Sequence, residues 1–319
     1  MASTFHRLTT GIGFTSPHRT SISMEQHTTL FMPSRVADMG TAIKVVSVPT
    51  LPDIRGLPAS TLVLDEVTGG VKAIVNARSL TALRTAAGSV LATRLLASKT
   101  PLKLLAFGAG KQIEAHVDLH IRAFSSIQSC IIVNRTINDR VNLLAANLRT
   151  RHPQVSFDYL SSHADQPSDD DSNALIAHVR NAQIICTATS STEPLFQSEW
   201  VTSGTHINLI GSYKPTMREV DDKLINRAGR VVVDSREACA IEAGDLIQAR
   251  FPKSKLVELG EVVSDELIPL VSKCAEIRAS GDVTIFKSVG VGLQDVAIAD
   301  LVVSKAEQMA IGMRVEDYD

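Results

Sequence analysis

Hydrophobic and polar positions follow a strand-like pattern over the first part of the chain. Four runs rich in β-branched residues are predicted strands: residues 28–36, 41–48, 60–65 and 71–75. The last two flank Thr68-Gly69-Gly70, which predicts a hairpin turn. Residues 79–97 place Ala and Leu at helical spacing and predict a long helix. This part therefore predicts a small antiparallel α+β unit, and residues 294–310 predict a helix that packs back on it.

After residue 101 the pattern changes to continuously apolar runs separated by helical stretches. Strands buried on both faces of a parallel sheet have this composition, and their alternation with helices indicates βαβ units. The stretch 161–173 is polar and acidic and predicts an exposed loop. The second part therefore predicts a doubly wound parallel sheet, with strands at residues 102–107, 130–133, 155–159, 183–187, 206–210, 230–233 and 284–289.

Composition excludes several classes of protein. The 319 residues suffice for about two domains, with 44% hydrophobic residues and a mean hydropathy of +0.10. The 32 Lys and Arg nearly balance the 34 Asp and Glu, so no charge pattern suits nucleic acid or an anionic membrane. No apolar run reaches the ~18 residues of a membrane-spanning helix. We expect a cytoplasmic protein whose four dispersed cysteines are reduced, mostly buried thiols that form neither a disulfide framework nor a zinc site: Cys130, Cys186, Cys239 and Cys274.

The N-terminal residues 1–24 allow two interpretations. They contain Arg7 and Arg19, many Ser and Thr, and no acid before Glu25, as a transit peptide would. They also fit a short polar lead-in to the first strand. We favour the lead-in, because Arg19 belongs to the resemblance described below.

A candidate phosphate-binding loop, Gly108-Ala109-Gly110, lies between a buried strand and a helix. In this context the two glycines permit a tight turn and close approach of a pyrophosphate to the backbone, while the helix N-terminus supplies N–H donors. The third position of the G-x-G-x-x-G/A pattern is Ile113, whose size we expect to push the helix slightly off the sheet.

The end of the second strand of the predicted βαβ unit indicates which dinucleotide would bind. An NAD site usually carries an acid here for the ribose 2′-hydroxyl, whereas this chain has Asn134-Arg135-Thr136. A guanidinium with two small hydrogen-bonding side chains suits a 2′-phosphate. We therefore predict NADP(H) over NAD(H); the alternative is a solvated loop arginine.

Other candidate motifs are weaker. His116 and His120 have i,i+4 spacing that could chelate a metal, but a satisfied or exposed pair on a packed helix is the better interpretation, and we predict no metal. We predict that Cys186 is a small hydrophobic residue in a buried strand and that Trp200 has a packing role. The absence of G-x-S-x-G gives no support for a hydrolase triad.

Several segments, in order and over nearly the whole chain from about residue 19, resemble the ornithine cyclodeaminase/mu-crystallin family. The segments are residues 80–97, 108–112, 133–136, 206–221, 231–245, 258–262 and 286–295. The resemblance implies a Rossmann-type NADP-binding domain of residues 99–287, inserted into a smaller α+β substrate-binding and dimerisation domain of residues 1–98 and 288–319. Family members include ornithine cyclodeaminase, an alanine dehydrogenase, cyclic-imine reductases and mu-crystallin, so it also implies a homodimer. A further β–α element expected ahead of Arg19 is not seen, which leaves the dimer edge and one pocket wall open.

Residue by residue, the resemblance implies a substrate pocket. Arg19, Lys44 and Arg84 match its carboxylate-binding cations, Glu242 a ligand-contacting glutamate and Asp245 the catalytic aspartate. We place Lys44 with Asp245 in the catalytic set. The expected cofactor-binding residues are Thr85, Gly108, Ala109, Gly110, Gln112, Asn134, Arg135, Thr136, Thr187, Thr189, Ser212, Ser288 and Gly290.

The chemistry of these residue types agrees with such a pocket. If the three cations converge, charge-assisted hydrogen bonds would hold an α-carboxylate and orient an adjacent C=N for hydride attack. Taken alone, each cation could be a surface charge, although Arg84 lies among Ala, Leu and Thr. Asp245 could exchange a proton with the substrate nitrogen, or be a helix-surface carboxylate.

The sequence therefore predicts an NADPH-dependent reductase that converts a small carboxylated, cyclic imine to an amino acid. Two alternatives remain open. One is an ornithine cyclodeaminase-like lyase with a recycled dinucleotide, against which Asn134-Arg135-Thr136 counts. The other is a non-catalytic protein that binds NADPH and a small acid.

Overall fold

Two separate β-sheets organise the chain. The computed structural model describes residues 1–50, 57–162 and 169–315. The first sheet is antiparallel, with the order β1-β3-β4-β5-β6 and β2 paired to β3. Its strands are β1 (Phe14–Thr15), β2 (Thr20–Ser23), β3 (His27–Val36), β4 (Gly40–Pro49), β5 (Ala59–Leu64) and β6 (Val71–Asn76).

The predicted strand pairs and hairpin of this sheet are confirmed. Between β5 and β6 the Asp65 carboxylate accepts the backbone N–H groups of Val67 and Thr68, and Gly69 has φ +77°. Side chains alternate across the strands. Val36, Ala42 and Val63 therefore face the helix α10 (Gly292–Gln308) in one hydrophobic core, which confirms the predicted packing of the C-terminal helix.

The predicted long helix is confirmed as α2 (Ala77–Leu96), and it joins the two sheets. The Asn76 side chain caps it by accepting the Arg78 N–H. It contacts β5 of the first sheet and β11 and β14 of the second. Because it is covered on several sides, it buries polar residues, among them Arg84, Ser89 and Thr93.

The second sheet has eight parallel strands in the order β13-β12-β14-β11-β10-β7-β8-β9. They are β7 (Lys103–Phe107), β8 (Ser129–Asn134), β9 (Ser156–Ser161), β10 (Ile184–Thr187), β11 (His206–Leu209), β12 (Val231–Val233), β13 (Leu256–Glu258) and β14 (Thr284–Lys287). The helices among them are α3 (Lys111–Ala123), α4 (Asp139–Arg151), α5 (Asp169–Asn181), α6 (Asp222–Arg227), α7 (Arg236–Glu242), α8 (Gly244–Gln248) and α9 (Val271–Ala279). The Rossmann-type α/β class is thus confirmed, and the order reverses between β7 and β10, where such sheets bind ligands.

Two local predictions were wrong. The predicted loop 161–173 begins with the last residue of β9 and ends in α5, while residues 163–168 lie outside the described part of the chain. The polar lead-in contains helix α1 (Ala2–Thr10), which buries Phe5 against a 3₁₀ turn at Leu259–Val262. Close approach is possible because the turn carries Gly260, where a Cβ would overlap the Phe5 carbonyl. One buried aromatic in a polar segment gives too little periodicity to predict a helix.

No helix in the described ranges combines the length and apolarity needed to cross a membrane. The domain boundaries 1–98, 99–287 and 288–319 stay predictions.

Candidate functional site

The loop after β7 has the geometry that a pyrophosphate requires. Gly108 has φ +114°, and a Cβ there would lie 2.9 Å from the Ala188 carbonyl oxygen, so only glycine fits without strain. Gly110 caps the N-terminus of α3 without a side-chain hydrogen bond, and a Cβ built on it would have no heavy atom within 4 Å. The open backbone and the first-turn N–H groups therefore fit a dinucleotide phosphate.

Ile113 fills the space below this loop. Its side chain is completely buried in the core between the sheet and helices α3 and α4. The expectation that it displaces the helix stays untested. Beside it, the Gln112 Oε1 atom is buried and has no hydrogen-bond partner in the part of the chain that the structure describes.

The segment after β8 lies next to the phosphate loop, because the Gly108 N–H donates to the Val133 carbonyl at 2.8 Å. The Asn134 side chain donates to the Thr136 carbonyl at 2.8 Å and closes a tight turn. Arg135 is exposed at its tip. Among the described residues no hydrogen bond or ion pair of its guanidinium occurs, and its backbone carbonyl accepts the Ser161 hydroxyl.

Glu219 fixes the loops after β10 and β11. Its buried carboxylate accepts the Thr187 hydroxyl at 2.7 Å, the Thr189 N–H and hydroxyl at 2.7 and 2.8 Å, and the Gly211 N–H at 2.7 Å. Burial, together with the negative charge of Asp245, raises the pKa of Glu219. Thr187, Thr189 and Ser212 thus lie at the predicted edge of the sheet, but their hydroxyls donate to protein acceptors, Ser212 to the Met217 carbonyl at 2.9 Å.

The loop after β14 is held by Asp234. This carboxylate accepts the Ser288 hydroxyl at 2.7 Å and the Gly290 N–H at 2.6 Å. Gly290 has φ +84°, and a Cβ there would lie 2.5 Å from Arg84 Nη1. The Arg84 guanidinium therefore packs directly on this loop, with the neighbouring Thr85 hydroxyl donating to the Thr81 carbonyl.

Two of the three predicted carboxylate-binding cations meet on one acid beside these loops, and the third, Arg19, is near enough for its charge to act on Lys44. Lys44 and Arg84 share the carboxylate of Asp295, with Lys44 Nζ at 2.7 Å from Oδ2 and Arg84 Nε at 3.1 Å from Oδ1. Arg19 lies 2.7 Å from Glu242 and donates to the Tyr213 carbonyl at 3.3 Å. Arg19 and Glu242 lie at the mouth of the site, with side chains 18% and 19% exposed, whereas Lys44 lies deep inside it and is 2% exposed.

Proximity of the three cations is reflected in the pKa of Lys44. Burial, followed by the positive charge of Arg84, lowers this pKa from 10.5 to about 8, and Arg19 adds to the decrease, while Asp295 opposes it. An amine with such a pKa can lose and regain a proton near neutral pH. Burial raises the pKa of Glu242, and Arg19 acts against this.

Asp245 is not part of this cluster. It is 1% exposed, and its Oδ1 accepts the backbone N–H groups of Glu219 at 2.7 Å and Val220 at 3.2 Å. Its Oδ2 lies 3.4 Å from Nζ of the completely buried Lys287. No ion pair or hydrogen bond among the described residues joins it to Arg19, Lys44 or Arg84. The sequence-based role as proton donor stays a prediction, and the enclosed position weighs against it.

Sequence reasoning missed four buried charges that shape the site. Asp295 orients two of the cations, and Glu219, Asp234 and Lys287 fix the surrounding loops. The sequence did contain a signal for Asp295: it is the one charged residue in the mostly apolar stretch 288–299, and a charge is rarely buried without a partner.

His116 and His120 have a structural role. Their Nε2 atoms hydrogen-bond to the Ser89 and Thr93 hydroxyls of α2, each at 2.9 Å, and so join α3 to α2. Burial lowers the pKa of His116 to about 3 and that of His120 to about 4, which keeps both neutral. No group of three or more metal-ligating side chains occurs within the described ranges. All four cysteines are free and buried, as expected.

Comparison with known proteins of similar sequence and structure identifies the family of this chain. The family model described as "Ornithine cyclodeaminase/mu-crystallin family" matches residues 1–310. Delta(1)-pyrroline-2-carboxylate reductase of Bacillus cereus is 30% identical, covering 94% of this chain and 89% of the relative. Ketimine reductase mu-crystallin of Mus musculus is 33% identical, over 76% and 68%. A solved structure, Thermococcus litoralis Delta(1)-pyrroline-2-carboxylate reductase with NADH and L-proline, superposes with a TM-score of 0.82 at 26% identity, over 98% and 93%. On the match of the family model and of these relatives, the chain belongs to the ornithine cyclodeaminase/mu-crystallin family.

Proposed function

We propose that this protein is an NADPH-dependent reductase that converts a carboxylated cyclic imine to the corresponding amino acid. The observation that carries the proposal is that Lys44 and Arg84 meet on Asp295, with Arg19 near enough for its charge to act on Lys44. The named activities of the relatives, pyrroline-2-carboxylate and ketimine reduction, support an NAD(P)-dependent oxidoreductase acting on C=N.

In this proposal the three cations hold the substrate carboxylate. Arg84 and Lys44 approach it from the deep wall and Arg19 from the mouth, and the charge-assisted hydrogen bonds fix the orientation of the adjacent C=N bond. Asp295 and Gln294 hold the Arg84 guanidinium in place. A bound reduced nicotinamide supplies the hydride that reaches the imine carbon.

Lys44 completes the reduction by transferring a proton to the imine nitrogen. The C=N bond then becomes CH–NH, and Lys44 regains a proton from solvent. Because its pKa is about 8, both the ammonium and the amine form of Lys44 are populated near neutral pH. Asp245 is the proton donor expected from the sequence. Its backbone N–H donates to the Ser212 hydroxyl, so we assign it the role of positioning the loop that carries Ser212.

Arg135 is proposed to select NADP(H). Replacing Arg135 with serine is expected to raise the KM for NADPH by about tenfold or more and to leave the KM for NADH nearly unchanged, because only NADPH carries the 2′-phosphate. Steady-state kinetics with both cofactors measures this. Arg140→Ser, an exposed cation in the first turn of α4, is the matched control. A wild-type preference for NADH would contradict the proposal.

The function itself is tested with a substrate panel. Purified protein is incubated with five- and six-membered cyclic imine-2-carboxylates or with ornithine, and with NADPH or NADH. Oxidation of NADPH with a cyclic imine supports the proposal. Ammonia release from ornithine without net cofactor change would instead indicate a cyclodeaminase, and tight NADPH binding without turnover would indicate a binding protein.

A homodimer completes the proposal. On the face of the antiparallel sheet opposite α10, the cross-strand neighbours Ile43, Leu62 and Ile74 form an apolar row, and Ile74 is 63% exposed. Burying such a row against a second copy would stabilise a dimer. Analytical ultracentrifugation should show a dimer, and Ile74→Lys should weaken it by about tenfold or more. A monomeric wild-type protein would contradict this assignment.

A further inference from the structure

A recess lies at the edge of the parallel sheet opposite the phosphate loop. It has a volume of about 1000 Å³ and is bounded by the last turns of α2, the end of α3, helix α9 and the residues that lead into β11 and β14. Because the amino ends of parallel strands lie together at one edge, the recess is separate from the cleft that contains Lys44 and Arg84. Clefts of roughly 300–1,000 Å³ are typical of small-molecule sites, so its size suits an organic ligand.

The wall of this recess is mainly apolar. It includes Leu91 and Leu95 of α2, Phe124 at the end of α3, and Val271 and Cys274 of α9. Leu95, Phe124 and Cys274 are buried beneath it, whereas Val271 is 73% exposed at the start of α9. A concave apolar surface that stays open to solvent offers an apolar ligand a place to lose contact with water.

The charges around this apolar wall are mostly positive. Among the described residues that line the recess, three are cations, Arg94, Lys99 and Arg278, and one is an acid, Asp282. The Asp282 carboxylate is already neutralised by the Arg227 guanidinium, which donates to its two oxygens at 3.0 and 2.6 Å. The recess therefore favours an anion over a cation.

Two of the cations keep hydrogen-bonding capacity for a ligand. Arg278 Nη1 donates to the Leu95 carbonyl at 2.8 Å, and Lys99 Nζ donates to the Arg94 carbonyl at 3.1 Å, which holds both at the end of α2. A guanidinium has five N–H donors and an ammonium three, so each can also donate to a carboxylate. Both charges reach the same wall, because burial raises the pKa of the Cys274 thiol while Arg278 and then Lys99 oppose the increase.

We propose that this recess is a second ligand-binding site, which takes a soluble organic anion with a carboxylate head and an aliphatic chain. The chain packs on the apolar wall, and the carboxylate accepts charge-assisted hydrogen bonds from Arg278 and Lys99. A concave recess of this size suits a small molecule better than the flat face of a partner protein. The site is independent of the proposed reductase function, since none of the described residues that line it belongs to the cleft.

Calorimetry with the full-length protein tests the chemical class of the ligand. The probes are hexanoate, octanoate and decanoate, with decan-1-ol as the uncharged chain. One carboxylate should bind per chain, and the Kd should decrease about threefold for each added CH₂ group, because each is buried on the apolar wall. Decan-1-ol should bind about tenfold more weakly than decanoate, since it lacks the charge.

Two variants test the position of the bound anion. Arg278→Gln should raise the Kd for decanoate by about tenfold. Arg230→Gln is the matched control, because Arg230 is an exposed arginine at the same edge of the sheet, before β12, and should leave the Kd unchanged. Val271→Asp places a negative charge beside the cations and should also raise the Kd by about tenfold or more. Its fold should be preserved, because Val271 is exposed and an acid suits the first turn of a helix.

The cleft variant Lys44→Met excludes binding at the other cationic site, and it should bind decanoate as the wild type does. Loss of binding in Lys44→Met, with binding kept in Arg278→Gln and Val271→Asp, would place the anion in the cleft and overturn the proposal. Absence of binding by all three carboxylates, or binding of several molecules that no variant affects, would also overturn it. So would a lower oligomeric state of Val271→Asp in analytical ultracentrifugation, because the recess would then be an interface between copies of the chain.

Discussion

Replacing Lys44 with methionine is expected to lower kcat/KM for a cyclic imine carboxylate by about 10²- to 10⁴-fold, the usual contribution of a positioned proton donor. The substitution removes both the proton donor and one of the cations that hold the carboxylate. Folding should be largely preserved, because methionine occupies a similar volume and Asp295 keeps its ion pair with Arg84. Lys223→Met, an exposed lysine on α6, is the control for loss of a lysine outside the cleft.

The pH dependence distinguishes proton transfer from charge alone. The reduction requires the ammonium form, so kcat/KM should decrease as the pH rises through about 8, the pKa of Lys44, and the reverse oxidation should increase over the same range. Lys44→Arg keeps the positive charge, but its guanidinium does not titrate in this range. We expect this variant to keep a KM near the wild-type value and to have a low kcat without the transition near pH 8. Wild-type kcat with an unchanged pH profile in Lys44→Arg would refute the role of Lys44.

Features that depend on residues adjacent in the sequence could be predicted from the sequence. The strand, glycine loop and helix around Gly108 follow one another directly, and their local pattern determines their type and their place at the sheet edge. Helix α8 shows the opposite case. It has five residues, which is too few to show a periodicity, so the sequence could not tell whether Asp245 faces the cleft or the interior.

Convergence of distant residues needed the structure. Asp295 is 211 positions from Arg84 and meets it only because α10 returns to the N-terminal sheet. No spacing rule connects such residues, and the resemblance supplied the three cations and Glu242 but not Asp295. That Arg19 pairs with Glu242, and Lys44 and Arg84 with Asp295, follows from the tertiary structure alone.

Asp245→Asn is expected to lower the free energy of unfolding by about 3 kcal/mol. The variant amide can still accept the Glu219 and Val220 N–H groups through Oδ1. Its NH₂ group would take the place of Oδ2, 3.4 Å from the completely buried Lys287 ammonium. Removing one partner of a buried ion pair leaves an uncompensated charge, which typically costs about 3–5 kcal/mol, and Glu219 offsets part of that loss. Urea unfolding followed by circular dichroism measures the change.

The double variant Asp245→Asn/Lys287→Met separates a positioning role from a catalytic one. Removing both charges should restore most of the lost stability, because an uncharged side chain of similar volume replaces the isolated ammonium. If Asp245 only fixes the loops beneath the cleft, turnover per folded molecule should return with stability, and the decrease above about pH 8 should persist, since that transition belongs to Lys44. If Asp245 itself carries the proton, the double variant should be as inactive as Asp245→Asn at every pH. That second outcome would show that Asp245 is the proton donor and that Lys44 only binds the substrate carboxylate.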